Sequence, residues 1–352
     1  MIAKDSPLLA AARREATEYT PVWFMRQAGR SLPEYRRIRE KYDFFTVCQQ
    51  PDLCAEVTLQ PVKRLGVDAA ILFADITTPL VGIGIEVDLV ESVGPVIAAP
   101  VRTVEDLARL RDLEPEQDLG YVLETLRILR RELPETVALI GFAGAPFTLA
   151  TYLVEGKPSR DYTQVKTFMY RAPEVWRALM ERLSAITIAY LQAQIQAGAQ
   201  IVQLFDSWVG WLGPADYETY VLPYSRRIFE ALRGQGVPLI HFGTTTAGIL
   251  DLMASAGADV MSVDWRIPLD AAWKRVGMEI AIQGNLDPVS LLAPREVLWS
   301  RADDVLRRAN GRPGHIFNLG HGLLPQTNPD EIAALVTYVH EQSQQYRSQG
   351  AA

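Results

Sequence analysis

Apolar residues in this chain gather in short unbroken runs. Eight of them, at 22–25, 69–73, 137–142, 201–205, 238–242, 259–263, 279–283 and 315–319, are bounded by Gly, Pro or Asp. A strand with one wet face alternates apolar and polar, whereas a strand covered on both faces is apolar throughout. The runs therefore predict a buried parallel sheet. Between them apolar residues recur at three- and four-residue spacing. The clearest case is 173–197, with Trp176, Leu179, Met180, Leu183 and Ile186 on one face, Pro173 opening it and Gly198 just past its end. Similar patterns predict helices over 214–232, 288–309 and 329–346. Strand–helix alternation repeated eight times predicts an α/β fold, a single (β/α)8 TIM barrel over residues 1–352 with extra N-terminal helices. An open doubly wound sheet is the competing arrangement. Residues 82–100 alternate and predict a short hairpin insertion; Gly82-x-Gly84 within it opens no helix, which argues against a dinucleotide loop. Residues 1–20 read as an N-terminal extension, and the polar residues 340–352 as a tail that frays.

Chemistry in such a barrel is built where the strands end. Just past the runs stand Arg26 and Arg30, Asp75, the segment 141–152, Asp206 and Ser207, residues 243–246, Asp264, Asn285 and Asp287, and Gly320, His321 and Gly322. Helix N-caps account for Asp264, Asp287 and Thr244. They do not account for Arg26, Tyr152 or His321. Arg26 and Arg30 bracket a Gln27-Ala28-Gly29 loop, and two guanidiniums at that spacing can each clamp a carboxylate. Gly29 lets backbone N–H groups approach an anion. Arg36, Arg37 and Arg39 read as charges on a surface helix. Asp75 reads either as a cap or as an anion placed to stabilise developing positive charge. His321, flanked by glycines, is accessible. His241, His315 and His340 read as structural.

Composition narrows the partner. The 352 residues hold 35 Lys+Arg against 42 Asp+Glu, a net charge of −7, which argues against nucleic acid. A local basic loop in an acidic chain suits an anionic small ligand. No apolar run approaches the ~20 residues of a membrane span, and the N-terminus lacks a signal-peptide core. A cytoplasmic protein with no membrane partner is expected. Cys48 and Cys54 are expected to be reduced thiols. With no His-x-x-x-His and no His-x-Cys, no metal is expected. Ser207, His321 and Asp75 could be drawn as a triad, yet Asp206-Ser207-Trp208 is not a nucleophile elbow.

The motifs resemble the uroporphyrinogen decarboxylase family. Pro21-Val-Trp-Phe-Met-Arg-Gln-Ala-Gly-Arg30 resembles its first signature. Gly141-Phe-Ala-Gly-Ala-Pro-Phe-Thr-Leu-Ala-Thr-Tyr152-Leu-Val-Glu-Gly156 resembles its second. Leu59-Gln-Pro61, Phe205-x-Ser207 and Gly320-His-Gly322 also fit, so the likeness runs from about residue 21 to 338. One departure is Ser31, where the family usually has an aromatic residue. The resemblance implies a barrel, a homodimer, no cofactor and no metal. It implies removal of the four acetate carboxyls of uroporphyrinogen III, giving coproporphyrinogen III for haem and chlorophyll synthesis. It further implies that Arg26 and Arg30, helped by the Gln27, Ala28 and Gly29 backbone, bind substrate carboxylates. Asp75 would face the pyrrole N–H groups, with catalysis resting on Asp75, Arg26 and Arg30. Tyr152, Ser207 and His321 would hydrogen-bond the substrate, and Phe205 would offer it a face. The proton donor stays open at this stage. An arginine holds its proton to a pKa of ~12 or above, while a histidine at ~6.5 is better matched but must first be in place. Related thiol methyltransferases carry a zinc-binding His-x-Cys, and His241-Phe-Gly243 lacks the thiol. A tetrapyrrole carrier without activity is the remaining alternative.

Overall fold

The computed structural model describes residues 6–90 and 93–350. Its strands are β1 Ala69–Ile71, β2 Val87–Val90, β3 Gly94–Ile97, β4 Ala138–Gly144, β5 Ile201–Asp206, β6 Leu239–Gly243, β7 Val260–Ser262, β8 Ala281–Leu286 and β9 His315–Leu319. Seven of the eight runs become strands of one parallel sheet in the order β1-β4-β5-β6-β7-β8-β9. Every residue of β4, β6, β8 and β9 is buried, as a sheet covered on both faces requires. The covering is helical. Helix Pro173–Gln196 turns Trp176, Leu179, Met180, Leu183 and Ile186 inward, none more than 1% exposed. Each such side chain contributes roughly 1.5–3 kcal/mol through burial.

The run at 22–25 behaves differently. It forms a single parallel bridge, Val22 to Phe317, rather than a strand. Its edges are nonetheless occupied on both sides: the Phe317 N–H donates to the Pro21 carbonyl (2.9 Å), and the Asp68 N–H donates to the Val22 carbonyl (2.8 Å). Side chains then take over the pairing. The Phe24 N–H donates to Gln27 Oε1 (3.0 Å) and the Met25 N–H to Asn318 Oδ1 (3.3 Å). Buried backbone donors must find acceptors, and here amides replace a neighbouring strand. Inside the sheet a buried polar layer fastens the segment. Trp23 Nε1 donates to Gln283 Oε1 (2.9 Å), and Gln283 Nε2 donates to Gln203 Oε1 (2.9 Å) and Ser262 Oγ (2.8 Å).

Asp68 is the knot at the other end. Its buried carboxylate accepts from the Val22 N–H (2.6 Å), the Tyr19 hydroxyl (3.0 Å) and His340 Nε2 (2.8 Å). His340 therefore has a polar partner, as does His315, whose Nε2 lies 3.0 Å from the Gly284 carbonyl. Removing the carboxylate orphans three groups, one of them a buried backbone donor. Asp68→Ala is expected to cost about 3 kcal/mol of stability, seen as a lowered urea midpoint with unchanged slope.

Several expected boundaries move. The strand expected over 279–283 starts at Ala281 and runs to Leu286, so Asn285 lies within it. The stretch 214–232 is two helices, Pro214–Tyr220 and Leu222–Leu232, because Pro223 lacks an N–H and cannot continue the first. Pro294 likewise separates the 3-10 turn Pro288–Leu292 from helix Arg295–Ala309. The insertion is an antiparallel pair, β2 with β3, shorter than 82–100, and Gly82 ends helix Thr78–Gly82. The turn residues 91–92 lie outside the described residues. The tail expected to fray from 340 on is instead helix, Pro329–Gly350, and residues 351–352 lie outside the description. Its order has a physical cause: Ser343 is buried and accepts from the Thr20 N–H (2.8 Å), and Arg347 Nη1 donates to the Thr17 carbonyl (2.6 Å). The N-terminal extension thus packs on the C-terminal helix. Helices Pro7–Ala12, Pro33–Arg39, Phe44–Gln49 and Pro51–Leu65 precede β1, as the extra N-terminal helices expected. Cys48 and Cys54 are free and buried, and burial pushes the Cys54 thiol up to about 12.

Candidate active site

Asp75 stands four residues past the end of β1. The chain turns there into helix Thr78–Gly82, and Asp75 Oδ1 accepts from both the Thr77 N–H (2.8 Å) and the Thr77 hydroxyl (2.5 Å). Oδ1 is thus spent on the turn before the helix, and Oδ2 accepts neither bond. Desolvation raises the Asp75 pKa, opposed by the Thr77 bonds and by the charge of Arg26. A carboxylate short of solvent gains most from a cation placed beside it.

Arg26 supplies charge to the same point. Its backbone is left-handed (φ 63°), uncommon outside glycine, where the chain leaves the sheet. Its side chain crosses directly over Gly322: a Cβ there would overlap Arg26 Cδ and lie 2.6 Å from Cγ. The two loops are also tied by the Leu323 N–H donating to the Met25 carbonyl (2.8 Å). Arg26 acts by charge on Asp75, Tyr152 and His321 alike, which brings these four together.

Tyr152 lies on helix Pro146–Glu155, buried, with its ring 6.2 Å from Trp208. Burial and then Asp75 raise its pKa to about 12, so its hydroxyl keeps its proton at pH 7. His321 is lowered to about 4, first by burial and then by Arg26 and Arg266, with Asp264 opposing. It is therefore a neutral imidazole at pH 7, which corrects the expectation that its ordinary pKa suits it to proton delivery. Protonation comes only as pH falls toward 4, and kcat/KM is expected to carry no His321 limb between pH 5.5 and 8. A limb near pH 6.5 that vanishes in His321→Gln would contradict this, and a pH–rate profile of both enzymes checks it.

The other predicted residues surround this set. Arg30 is exposed, as Arg26 is, and acts by charge on Tyr35, whose ring meets Phe73 edge-on at 5.3 Å. Gln27 turns inward: its side chain donates to the Ala69 carbonyl (2.8 Å) and accepts from the Phe24 N–H, and its own N–H donates to the Phe24 carbonyl (3.1 Å). Its amide and N–H are thus engaged within the fold. Ala28 is half-buried, and Gly29 packs so closely that a Cβ would lie 3.0 Å from the Arg26 carbonyl. Phe205 is half-buried with its ring edge-on to Phe142 and Phe242 (5.4 and 5.5 Å). The Ser207 carbonyl accepts from the Thr244 hydroxyl (2.6 Å).

Two arginines make contacts beyond their sequence expectation. Arg36 is not idle surface charge: its Nη1 donates to the Arg30 and Ser31 carbonyls (2.7 and 3.1 Å) and stiffens the arginine loop. Arg266, two residues past Asp264, carries no expectation from sequence, yet its guanidinium stacks on Trp265 and donates to Asp264 Oδ2 (2.7 Å). His241 faces the helices, with its ring 5.1 Å from Phe229. Among the described residues no cluster of three or more His, Cys, Asp or Glu is placed to hold a metal ion.

Comparison with known proteins follows this geometry. A family model described as uroporphyrinogen decarboxylase matches residues 3–342. A uroporphyrinogen decarboxylase of Streptomyces coelicolor is 58% identical, covering 96% of this chain and 95% of its own. One from Carboxydothermus hydrogenoformans is 55% identical, covering 96% and 97%. Among solved structures, a methyltransferase from Methanosarcina mazei superposes with a TM-score of 0.77 at 18% identity, over 96% of this chain and 98% of that one. At that identity the likeness speaks to the fold alone.

Proposed function

The chain belongs to the uroporphyrinogen decarboxylase family, and on that premise we propose how its strand ends remove carboxyl groups from uroporphyrinogen in tetrapyrrole biosynthesis. The observation that carries the reading is a desolvated carboxylate, Asp75, with Oδ1 held by Thr77 and Oδ2 outside those bonds, within charge reach of an Arg26 guanidinium laid over Gly322 and influencing Tyr152 and His321 as well. The substrate has eight carboxylates at its rim and four pyrrole N–H donors at its centre. Guanidiniums suit the rim, and a single acceptor suits the centre. Asp75 Oδ2 accepts from the N–H groups of the domed macrocycle, while Arg26, Arg30 and the Ala28–Gly29 backbone hold carboxylates. Tyr152, Ser207 and His321 hydrogen-bond the substrate, and Phe205 lies against a ring.

The chemistry then needs an electron sink. A proton added to a ring carbon beside an acetate makes an iminium-like cation. The C–C bonding pair flows into that cation as CO2 leaves, giving an exocyclic methylene. A second proton converts the methylene to methyl, and loss of the ring proton restores the pyrrole, so each acetate consumes one proton and releases one CO2. Such a sink is what a cofactor supplies elsewhere. Asp75 stabilises the cationic state more than the neutral ground state, and only that difference speeds the step. Arg26 orients, or transiently protonates, the reacting acetate site; an imidazole already neutral at pH 7 does not compete for that part.

The finer reading is four acetates of uroporphyrinogen III converted to methyls, giving coproporphyrinogen III for haem and chlorophyll, by a cytoplasmic homodimer without cofactor or metal. The run at 22–25 would be the first stave of a closed (β/α)8 barrel forming a single domain over residues 1–352, supported by the hydrogen bonds that it and Pro21 make to β9 and to Asp68 just before β1. Incubating the purified chain with uroporphyrinogen III under reducing conditions should accumulate coproporphyrinogen and CO2. A bound but unchanged substrate would overturn the reading.

A further inference from the structure

Past the end of β7 the chain runs Asp264-Trp265-Arg266-Ile267, and this corner is fastened from every side. The nearly fully buried Asp264 carboxylate accepts from the Thr245 N–H (2.5 Å) and the Arg266 N–H (3.0 Å). Asn285 Nδ2, from β8, donates to the Asp264 and Ile267 carbonyls (2.9 and 2.7 Å). Gly320 packs against the corner so tightly that a Cβ there would lie 2.6 Å from the Trp265 nitrogen. On this rigid base the Arg266 guanidinium lies 4.2 Å from the Trp265 ring centroid, with Nη1 donating to Asp264 Oδ2 (2.7 Å). Its side chain is still 45% exposed, so a guanidinium with five donors is anchored through one nitrogen and open to a ligand.

The corner belongs to the same mouth as Arg26, because the one short segment 320–322 touches both: Gly320 packs against Asp264 and Trp265, and Gly322 lies under the Arg26 side chain. An exposed ion pair could be a loop fastener of little consequence. Two features argue for more. Asp264 already has two backbone donors, so the corner holds without the guanidinium. The octa-acid brings more carboxylates than Arg26 and Arg30 can clamp.

We propose that Arg266, stacked on Trp265 and steadied by Asp264, is a further substrate-binding residue that grips a side-chain carboxylate of the tetrapyrrole on the β7 side of the mouth. The proposal rests on the function stated above. Arg266→Gln raises KM for uroporphyrinogen about tenfold, the loss of one charge-assisted contact, with kcat falling by less than that. Arg266→Lys, which keeps the charge but not the fork, recovers part of the loss and serves if the glutamine variant folds poorly. The decisive readout is salt: an exposed charge contact is screened, so log KM rises less steeply with ionic strength in Arg266→Gln than in the wild type. An unchanged KM, or a raised KM with the wild-type salt slope, overturns the proposal, since the loss would then come without a charge contact to the substrate. Absence of turnover by the wild type would sink the functional reading as well. Wild-type turnover with an indifferent Arg266→Gln sinks this inference alone.

Discussion

Asp75→Asn is expected to leave the fold intact and to lower turnover about a thousandfold, the upper range for one electrostatic group in a water-poor site. The substitution keeps the size and the oxygen that accepts from Thr77, so helix Thr78–Gly82 should still start where it does. It removes the charge and, with the amide oxygen held by Thr77, replaces Oδ2 by an NH2 group that cannot accept the pyrrole N–H bonds. Binding of the neutral ground state is therefore weakened, and the cationic state loses its counter-charge in addition, so KM rises and kcat falls further still. Single-turnover measurements on variant and wild type, with thermal unfolding as the control for folding, decide it. Turnover near normal would remove Asp75 from its role.

Gly322→Ala is the second large effect, and it is reached only through geometry. The added methyl occupies space held by Arg26 Cγ and Cδ, so the guanidinium must swing aside, while the backbone at 322 itself tolerates alanine. A misplacement of about 1 Å in a positioned group can cost about a hundredfold, and kcat/KM is expected to fall by that order. Arg26→Gln should cost as much. The double variant should be no worse than Arg26→Gln alone, because both changes remove one interaction. A double-mutant cycle on kcat/KM tests this, and additive losses would show that Gly322 acts through something other than Arg26.

The neutral state of His321 bears on both predictions. With its pKa near 4, the imidazole adds no positive charge beside Arg26 at pH 7, so Arg26 and Arg266 are the cations acting on it. Losing either should therefore change substrate charge recognition without compensation from the histidine.

Much of this was legible from local pattern. Unbroken apolar runs implied strands covered on both faces, and seven of them pair in chain order; 315–319 even keeps its limits. Period two and period 3.6 are properties of the backbone, so they survive whatever packs against them. The same reading placed Arg26, Asp75, Tyr152 and His321 at strand ends, because parallel strands deliver all their C-termini to one side. Where it failed, a particular contact decided, in some cases nearby and in others far along the chain. Residues 22–25 lose their strand pairing to Gln27 and Asn318, the tail from 340 is ordered by Thr17 and Thr20, and Arg36 is defined by the carbonyls it reaches. Proximity of Gly322 to Arg26, nearly three hundred positions apart, leaves no trace in spacing. Residue type and period thus dictate which elements form and which end carries the chemistry. The protonation states, the spent amide of Gln27 and the anchored guanidinium of Arg266 come from burial and long-range contact, which exist only once the chain has closed on itself.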